Sequence, residues 1–244
     1  MKTNRSGKFR RVLVKLSGES LSGEAGYGIT TTFLKYVVDE LILAKEVVPE
    51  LAVVIGGGNI FRGISSKEFS IEKKTGDNMG MLATVINGLA LKDGLIRRGI
   101  EADVLNSFDI TPFAEGYTHQ KAEGMLKEKR VVIFTGGTGH PFFTTDTTGV
   151  LRAIEIQADA FFKATKVDGV YTKDPMKDRS AKKYEVLTYD EAISKNLNIM
   201  DQTAIALAKD ANLTLHIFNF FKKGNLAQEL KGYRTGSIVR GGLK

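Results

Sequence analysis

Short apolar runs alternate with helical patterns along most of this chain, at Arg11–Leu16, 51–55, 102–105, 131–135, 160–164 and 214–218. Continuous apolar runs of this length suit strands buried on both faces. The pattern therefore predicts an α/β fold with a largely parallel sheet covered by helices on each side. Between the first two runs, Thr30 or Thr31 can cap a helix that places Phe33, Val37, Leu41 and Ala44 on one side. Asp77 stands where an N-cap is expected for a helix containing Met81, Leu82, Val85, Leu89 and Leu91. That helix is apolar around much of its circumference, and either the core or a second copy of the chain can cover its outer face.

No composition shift and no linker rich in Pro, Ser or Gly divides the 244 residues, so one domain, 1–244, is expected. The absence of Cys excludes a disulfide framework and a thiolate metal site, and the start lacks the apolar core of a secretory signal. A cytoplasmic setting is the expectation. The charge-free stretch between Asp77 and Lys92 falls short of the about 20 apolar residues a bilayer span requires, so no span is expected. A formal net charge of +7 suits anionic ligands, nucleic acid or small phosphate compounds, and is equally the property of a solvated basic surface. Apart from Lys8, Arg10 and Arg11 near the start and Lys222 and Lys223 late on, the basic residues are scattered. No finger, basic zipper or aromatic RNA-binding signature accompanies them.

Glycines recur where a predicted strand gives way to a helix: Gly18 after the first run, Gly56, Gly57 and Gly58 after the second, and Gly136, Gly137 and Gly139 after the fourth. These positions fall on the carboxyl edge of a parallel sheet, where helix N-termini offer free N–H groups, and they point to a phosphate site. Two familiar phosphate motifs are absent. The single Gly-Lys pair, Gly7-Lys8, runs into Phe9, which excludes a P-loop, and Gly137-Thr138-Gly139 runs into His140 and Pro141, which breaks the dinucleotide fingerprint. His119, His140 and His216 are widely separated, with no metalloprotease or nucleophile-elbow motif around them.

Four segments can carry phosphate chemistry. Lys15 ends the first strand, where its ammonium can reach a cleft while Gly18 lets the backbone approach a phosphate. The glycines at 56–58 lead through Asn59 to Arg62, a fork for a phosphate. The stretch 137–146 supplies N–H and hydroxyl donors, and its Asp146 can orient a lysine or bind ribose hydroxyls. Phe142 and Phe143 within it can flank a planar base, although at least one is expected in the core. The stretch 163–175 ends a strand in a turn and a short extended piece with Tyr171, either a plain surface hairpin or a platform for adenine.

Together, residues 15–19, 54–59 with Arg62 and Gly63, 77–84, 141–146 and 163–174 resemble the bacterial uridylate kinases of the amino acid kinase superfamily over nearly the whole chain. The resemblance implies ATP-dependent phosphorylation of UMP to UDP with Mg²⁺, on a three-layer αβα sandwich around a mainly parallel sheet. It implies that Lys15, Leu16, Ser17, Gly18, Gly58, Thr165, Tyr171 and Asp174 lie with ATP. Gly57, Arg62 and Asp77 lie with UMP, together with Thr138, Gly139, His140, Pro141, Phe142, Phe143, Thr144 and Thr145. On this reading Lys15 and Lys163 face the transferring phosphoryl oxygens and Asp146 holds the lysines. Mg²⁺ prefers phosphate oxygens and water, and no protein ligand for it is named. The resemblance further implies a hexamer, inhibition by UTP, and a GTP-responsive region at Gly23, Glu24, Ala25, Gly26, Tyr27 and Gly28. The family commonly has Asn where this chain has His140. The rival readings are an acyl-phosphate-forming kinase of the same superfamily and a nonenzymatic nucleotide sensor.

Overall fold

The computed structural model describes residues 9–61 and 71–242. The first half runs β1 (Arg11–Leu16), α1 (Glu19–Ser22), α2 (Thr31–Lys45), β2 (Glu50–Ile55), α3 (Lys73–Ile96), β3 (Ala102–Asn106), β4 (Glu115–Gly116), α4 (His119–Lys127) and β5 (Val131–Thr135). The second runs α5 (Thr145–Glu155), β6 (Ala160–Thr165), β7 (Val170–Tyr171), β8 (Lys183–Tyr184), β9 (Val186–Thr188), α6 (Tyr189–Ser194), α7 (Gln202–Asp210), β10 (Leu215–Asn219), α8 (Asn225–Leu230) and β11 (Ser237–Arg240).

A nine-stranded sheet is ordered β4-β3-β5-β2-β1-β6-β10-β11-β9, and β7 pairs with β8 in a separate antiparallel ribbon. Every neighbouring pair in the large sheet is parallel except β10 with β11. All six runs anticipated from sequence are strands of this sheet. Alternation along β1 sends Val12, Val14 and Leu16 to one core, with Val37 and Leu41 of α2 and Leu91 and Leu95 of α3. Leu13 goes to the other, with Val150 of α5 and Ala204 of α7. Helices cover both faces, giving the expected three layers.

Two local expectations change. The helix read from Asp77 begins earlier, at Lys73, and Glu72 occupies its N-cap without a side-chain bond. Gly76 N–H already donates to Glu72 C=O, so Asp77 sits inside the helix and its carboxylate is spent elsewhere. Val85 is 4% exposed, whereas Leu82 and Ile86 are 49% and 52% exposed. At 100° per residue the stripe that includes Val85 faces the sheet and the one carrying Leu82 and Ile86 faces away. Among the described residues α3 is also the one helix long and apolar enough to cross a membrane by length and composition. The sequence estimate had counted only its charge-free middle. Its buried Ala83, Val85, Leu91 and Leu95 turn toward the protein interior.

Candidate active site

From β1 the chain moves to β2 on one side, and from β6 it moves to β10 on the other, so the strand order reverses where β1 and β6 lie side by side. A crevice opens at the carboxyl ends of such strands. Parallel register sets Lys15 of β1 directly beside Lys163 of β6. Helix α5 starts above them, its first turn capped by the Thr144 hydroxyl, which accepts from the N–H groups of Asp146 at 3.1 Å and Thr147 at 3.2 Å. That cap aims Asp146 at both lysines. Its Oδ1 lies 3.1 Å from Lys15 Nζ, and its Oδ2 accepts from Lys163 Nζ at 2.6 Å.

Burial pulls the Asp146 carboxyl upward, but the charges of Lys15 and Lys163 outweigh it and hold the group below the ordinary carboxylate range. Burial pushes the Lys163 ammonium down, with Asp146 opposing. Lys163 also donates to the Ile199 carbonyl at 2.5 Å. Asp146 stands between the two ammonium groups and Asp201 also acts on Lys163, so the charges are held in place for an incoming anion to meet.

Two clefts adjoin this cluster. The smaller, roughly 310 Å³, is lined by Gly57, Gly58, Asp77, Gly80, Thr84, His140, Thr144 and Thr145. The larger, roughly 800 Å³, is lined by Asp146, Lys163, Thr165, Tyr171, Asp174 and the stretch 195–201. A further cavity of roughly 540 Å³ behind that stretch has none of the lysines.

Glycines bring the loops over the sheet edge into backbone contact. A Cβ on Gly18 would stand 2.4 Å from Asn59 Oδ1 and 2.7 Å from Gly56 O, so the turn after β1 can lie against the turn after β2 only as glycine. A Cβ on Gly57 would stand 2.6 Å from Gly80 O on α3. Gly58 and Gly80 differ, for a Cβ on either would meet nothing within 4 Å, and both line the smaller cleft. The loop is fixed by buried Asn59 and Asn87. Each amide donates to the other, at 3.0 and 2.7 Å, and Asn87 donates to Gly56 O at 2.8 Å.

Leu16 is a core side chain that contributes its backbone here, its carbonyl accepting from Gly56 N–H at 3.0 Å. Ser17 caps the following turn, its hydroxyl accepting from Glu19 N–H at 3.4 Å. Arg62 lies outside the described residues. Asp77 Oδ2 accepts from Phe142 N–H at 2.8 Å and from Lys73 Nζ at 2.9 Å, tying α3 to the loop that follows β5. Phe142 and Phe143 are 65% and 51% exposed, so neither is a core residue, contrary to expectation. Phe142 has φ +74°, and this left-handed turn carries the ring out to the cleft. His140 lines the smaller cleft, its Nδ1 lying 3.3 Å from Thr138 O, and Thr138 Oγ1 accepts from His140 N–H at 3.2 Å. Gly139 and Pro141 complete that loop.

On the larger cleft, Tyr171 belongs to the β7–β8 ribbon and its hydroxyl donates to Asp168 Oδ1 at 2.5 Å. That bond pushes the phenol up to about 12. Thr165 closes the strand end by donating to Val167 O, and Asp174 caps the turn at Met176 N–H, 2.9 Å away. Gly23, Glu24 and Ala25 form a 3₁₀ turn, followed by Gly26, exposed Tyr27 and Gly28. Gly28 N–H donates to Asn59 O at 2.6 Å, and Asn59 donates to Gly28 O at 2.8 Å.

The sequence reading missed Asp201. It caps α7 through Ala204 N–H at 2.9 Å, accepts from Thr147 Oγ1 at 2.8 Å, and also accepts from Thr144 Oγ1. An Asp before an amphipathic run signals a cap, but its reach to α5 is a tertiary fact.

Residues 10–219 match the model of the amino acid kinase family. The chain is 50% identical to a uridylate kinase of Magnetococcus marinus over 232 residues, covering 95% of this chain and 96% of the relative. The structure of UMP kinase from Bacillus anthracis superposes with a TM-score of 0.92 at 38% identity, over 95% of this chain and 96% of that one. UMP kinase from Ureaplasma parvum gives 0.90 at 32% identity, over 95% and 98%.

Proposed function

The chain belongs to the amino acid kinase family, in its uridylate kinase branch, and we infer that it transfers the terminal phosphoryl group of ATP to UMP, giving ADP and UDP. The observation that carries this reading is the pair of lysines sharing one carboxylate, between a cleft that Asp146 and Lys163 line and a cleft that the adjacent Thr144 and Thr145 line. Phosphoryl transfer asks the protein for alignment and charge, not for covalent chemistry. Lys15 and Lys163 stabilise the charge on the transferring group, and Asp146 keeps both ammonium groups aimed. UMP occupies the smaller cleft with Asp77 and the 138–145 loop, and Arg62 takes its phosphate. That phosphate is already an anion and attacks without a general base. ATP occupies the larger cleft against Thr165, Tyr171 and Asp174.

Mg²⁺ enters as part of the MgATP substrate. It is carried on phosphate oxygens and water, while the buried Asp146 is committed to the lysines. A homo-oligomer, a hexamer by resemblance, would cover the exposed Leu82 and Ile86 of α3. The bonds from Gly28 to Asn59 support a GTP response acting through the 23–28 segment on the glycine loop, and inhibition by UTP follows from the family resemblance alone. A chain without Cys suits a cytoplasmic setting.

Release of ADP, followed in a coupled assay with UMP, CMP, acetylglutamate, aspartate and carbamate, tests the reading. Turnover is expected with UMP. Preference for a carboxylate or carbamate would assign the chain to acyl-phosphate chemistry, and no turnover with any acceptor would leave a nucleotide sensor.

A further inference from the structure

Arg152 is a buried cation that the mechanism above does not use. It lies on α5, 5% exposed, and donates to Glu155 Oε2 at 2.5 Å and to Ser107 Oγ at 3.0 Å. The Tyr117 ring lies beneath its guanidinium, 3.8 Å from centroid to Cζ, and the Tyr117 hydroxyl donates to the same Glu155 oxygen at 2.6 Å. A guanidinium buried this deeply holds its position only where its partners are fixed.

Its second partner reaches the UMP loop. A guanidinium has no acceptor, so at Ser107 it occupies the hydroxyl oxygen and leaves that hydroxyl one proton to give away. Two carbonyls stand within reach, Gly137 O at 2.5 Å and Thr135 O at 3.2 Å, and the shorter contact goes to Gly137. Gly137 lies in a turn with φ of +76°, +58° and +80° at Gly136, Gly137 and Gly139, which glycine adopts without strain but at a high entropic cost of ordering, so hydrogen bonds must fix it. Gly136 N–H donates to Thr84 Oγ1 of α3 at 2.8 Å, and a Cβ on Gly139 would lie 3.3 Å from Ser107 O. The turn is thus clamped between α3 and Ser107, and the loop carrying Thr138 and His140 is built on it.

We propose that Arg152 is a positioning residue for the acceptor nucleotide, acting through Ser107 on the turn that presents the 138–145 loop. The proposal rests on the assignment of the smaller cleft to UMP. It separates the acceptor side from the donor side, since neither Arg152 nor Ser107 contacts the lysine cluster or lines the larger cleft.

The test measures KM for UMP, KM for ATP and kcat in the wild type, Ser107→Ala, Arg152→Lys and the double variant, with thermal unfolding of each. Ser107→Ala is expected to raise KM for UMP about fivefold, the scale of one lost part-buried hydrogen bond, while kcat at saturating UMP and KM for ATP stay within about twofold. Arg152→Lys should move the same constant, and the double variant should be no worse than the more affected single one, because both act on one contact. If Arg152→Lys fails to fold, Glu155→Gln, which loosens the other anchor of the guanidinium, takes its place. An unchanged KM for UMP in Ser107→Ala or in the folded Arg152 or Glu155 variant, or equal rises in both KM values, overturns the brace and leaves UMP kinase activity standing. A wild type that does not turn over UMP overturns both.

Discussion

On one side of Asp146 the wall of the smaller cleft, proposed for UMP, is held by buried and part-buried amides and hydroxyls, Asn59 with Asn87, Thr84 with Gly136 and Ser107 with Gly137, while on the other side exposed ion pairs border the larger cleft, proposed for ATP. Lys173 meets Asp178 at 2.9 Å and Lys177 meets Asp174 at 3.8 Å, all four side chains more than a third exposed. Exposed pairs of this kind contribute little and yield easily. Buried polar pairs cost more to break and so keep one geometry. On the proposed assignment of the two clefts, the contrast places discrimination on the acceptor side: the braced cleft would select its nucleotide, and the open cleft would admit its own with less discrimination.

The largest effect should come from the cluster both clefts share. Lys15→Met is expected to lower kcat by about a thousandfold with the fold intact, as for loss of a preorganised cation, and stopped-flow or coupled assays would read it. Near-normal turnover would mean that the clefts meet elsewhere. Next is the braced side alone. The specificity constant for UMP should exceed that for CMP by about a hundredfold, because polar groups fixed for uracil are left unpaired by cytosine. Equal constants would erase the contrast between the clefts.

Two glycines of α3 sharpen it further. Gly80→Ala adds a methyl where the protein has nothing and UMP is expected, so KM for UMP should rise about tenfold while the helix gains up to about 1 kcal/mol and Tm rises. Gly88→Ala should do the reverse to stability, since its Cβ would stand 2.4 Å from Thr135 Cγ2 in the core. A fall in Tm for both would deny Gly80 its place on the cleft.

The smallest effect is in pH. Lys163 has its ammonium pushed down by burial and supported by Asp146, so its charge is lost below the ordinary lysine value of about 10.4 as pH rises. The alkaline fall in kcat should begin correspondingly early, and Asp146→Asn should move it to still lower pH. An unmoved alkaline limb would show that Lys163 is not the titrating group.

Much of this was legible in the sequence because parallel strands buried on both faces write continuous apolar runs. Lys15, Gly56 to Gly58 and Asp146 could be found because strand ends and glycine turns mark the carboxyl edge. What stayed hidden was tertiary. Short β4, β9 and β11 carry too few residues for a period, and Asp201, Asn87 and Ser107 matter through partners 54, 28 and 30 positions away in sequence. Phe142 and Phe143 look like core by composition, and only the left-handed turn at Phe142 turns them to the cleft. Asp77 read as a cap because Asp favours that role, yet the helix had already started at Lys73.

On the proposed assignment the two clefts are halves of one site joined at Lys15, Asp146 and Lys163. A bisubstrate compound that joins adenosine to uridine through a short polyphosphate chain tests this directly in steady-state inhibition. Inhibition competitive with both ATP and UMP is expected, with affinity lost in Lys15→Met. Inhibition competitive with one nucleotide and noncompetitive with the other would contradict it.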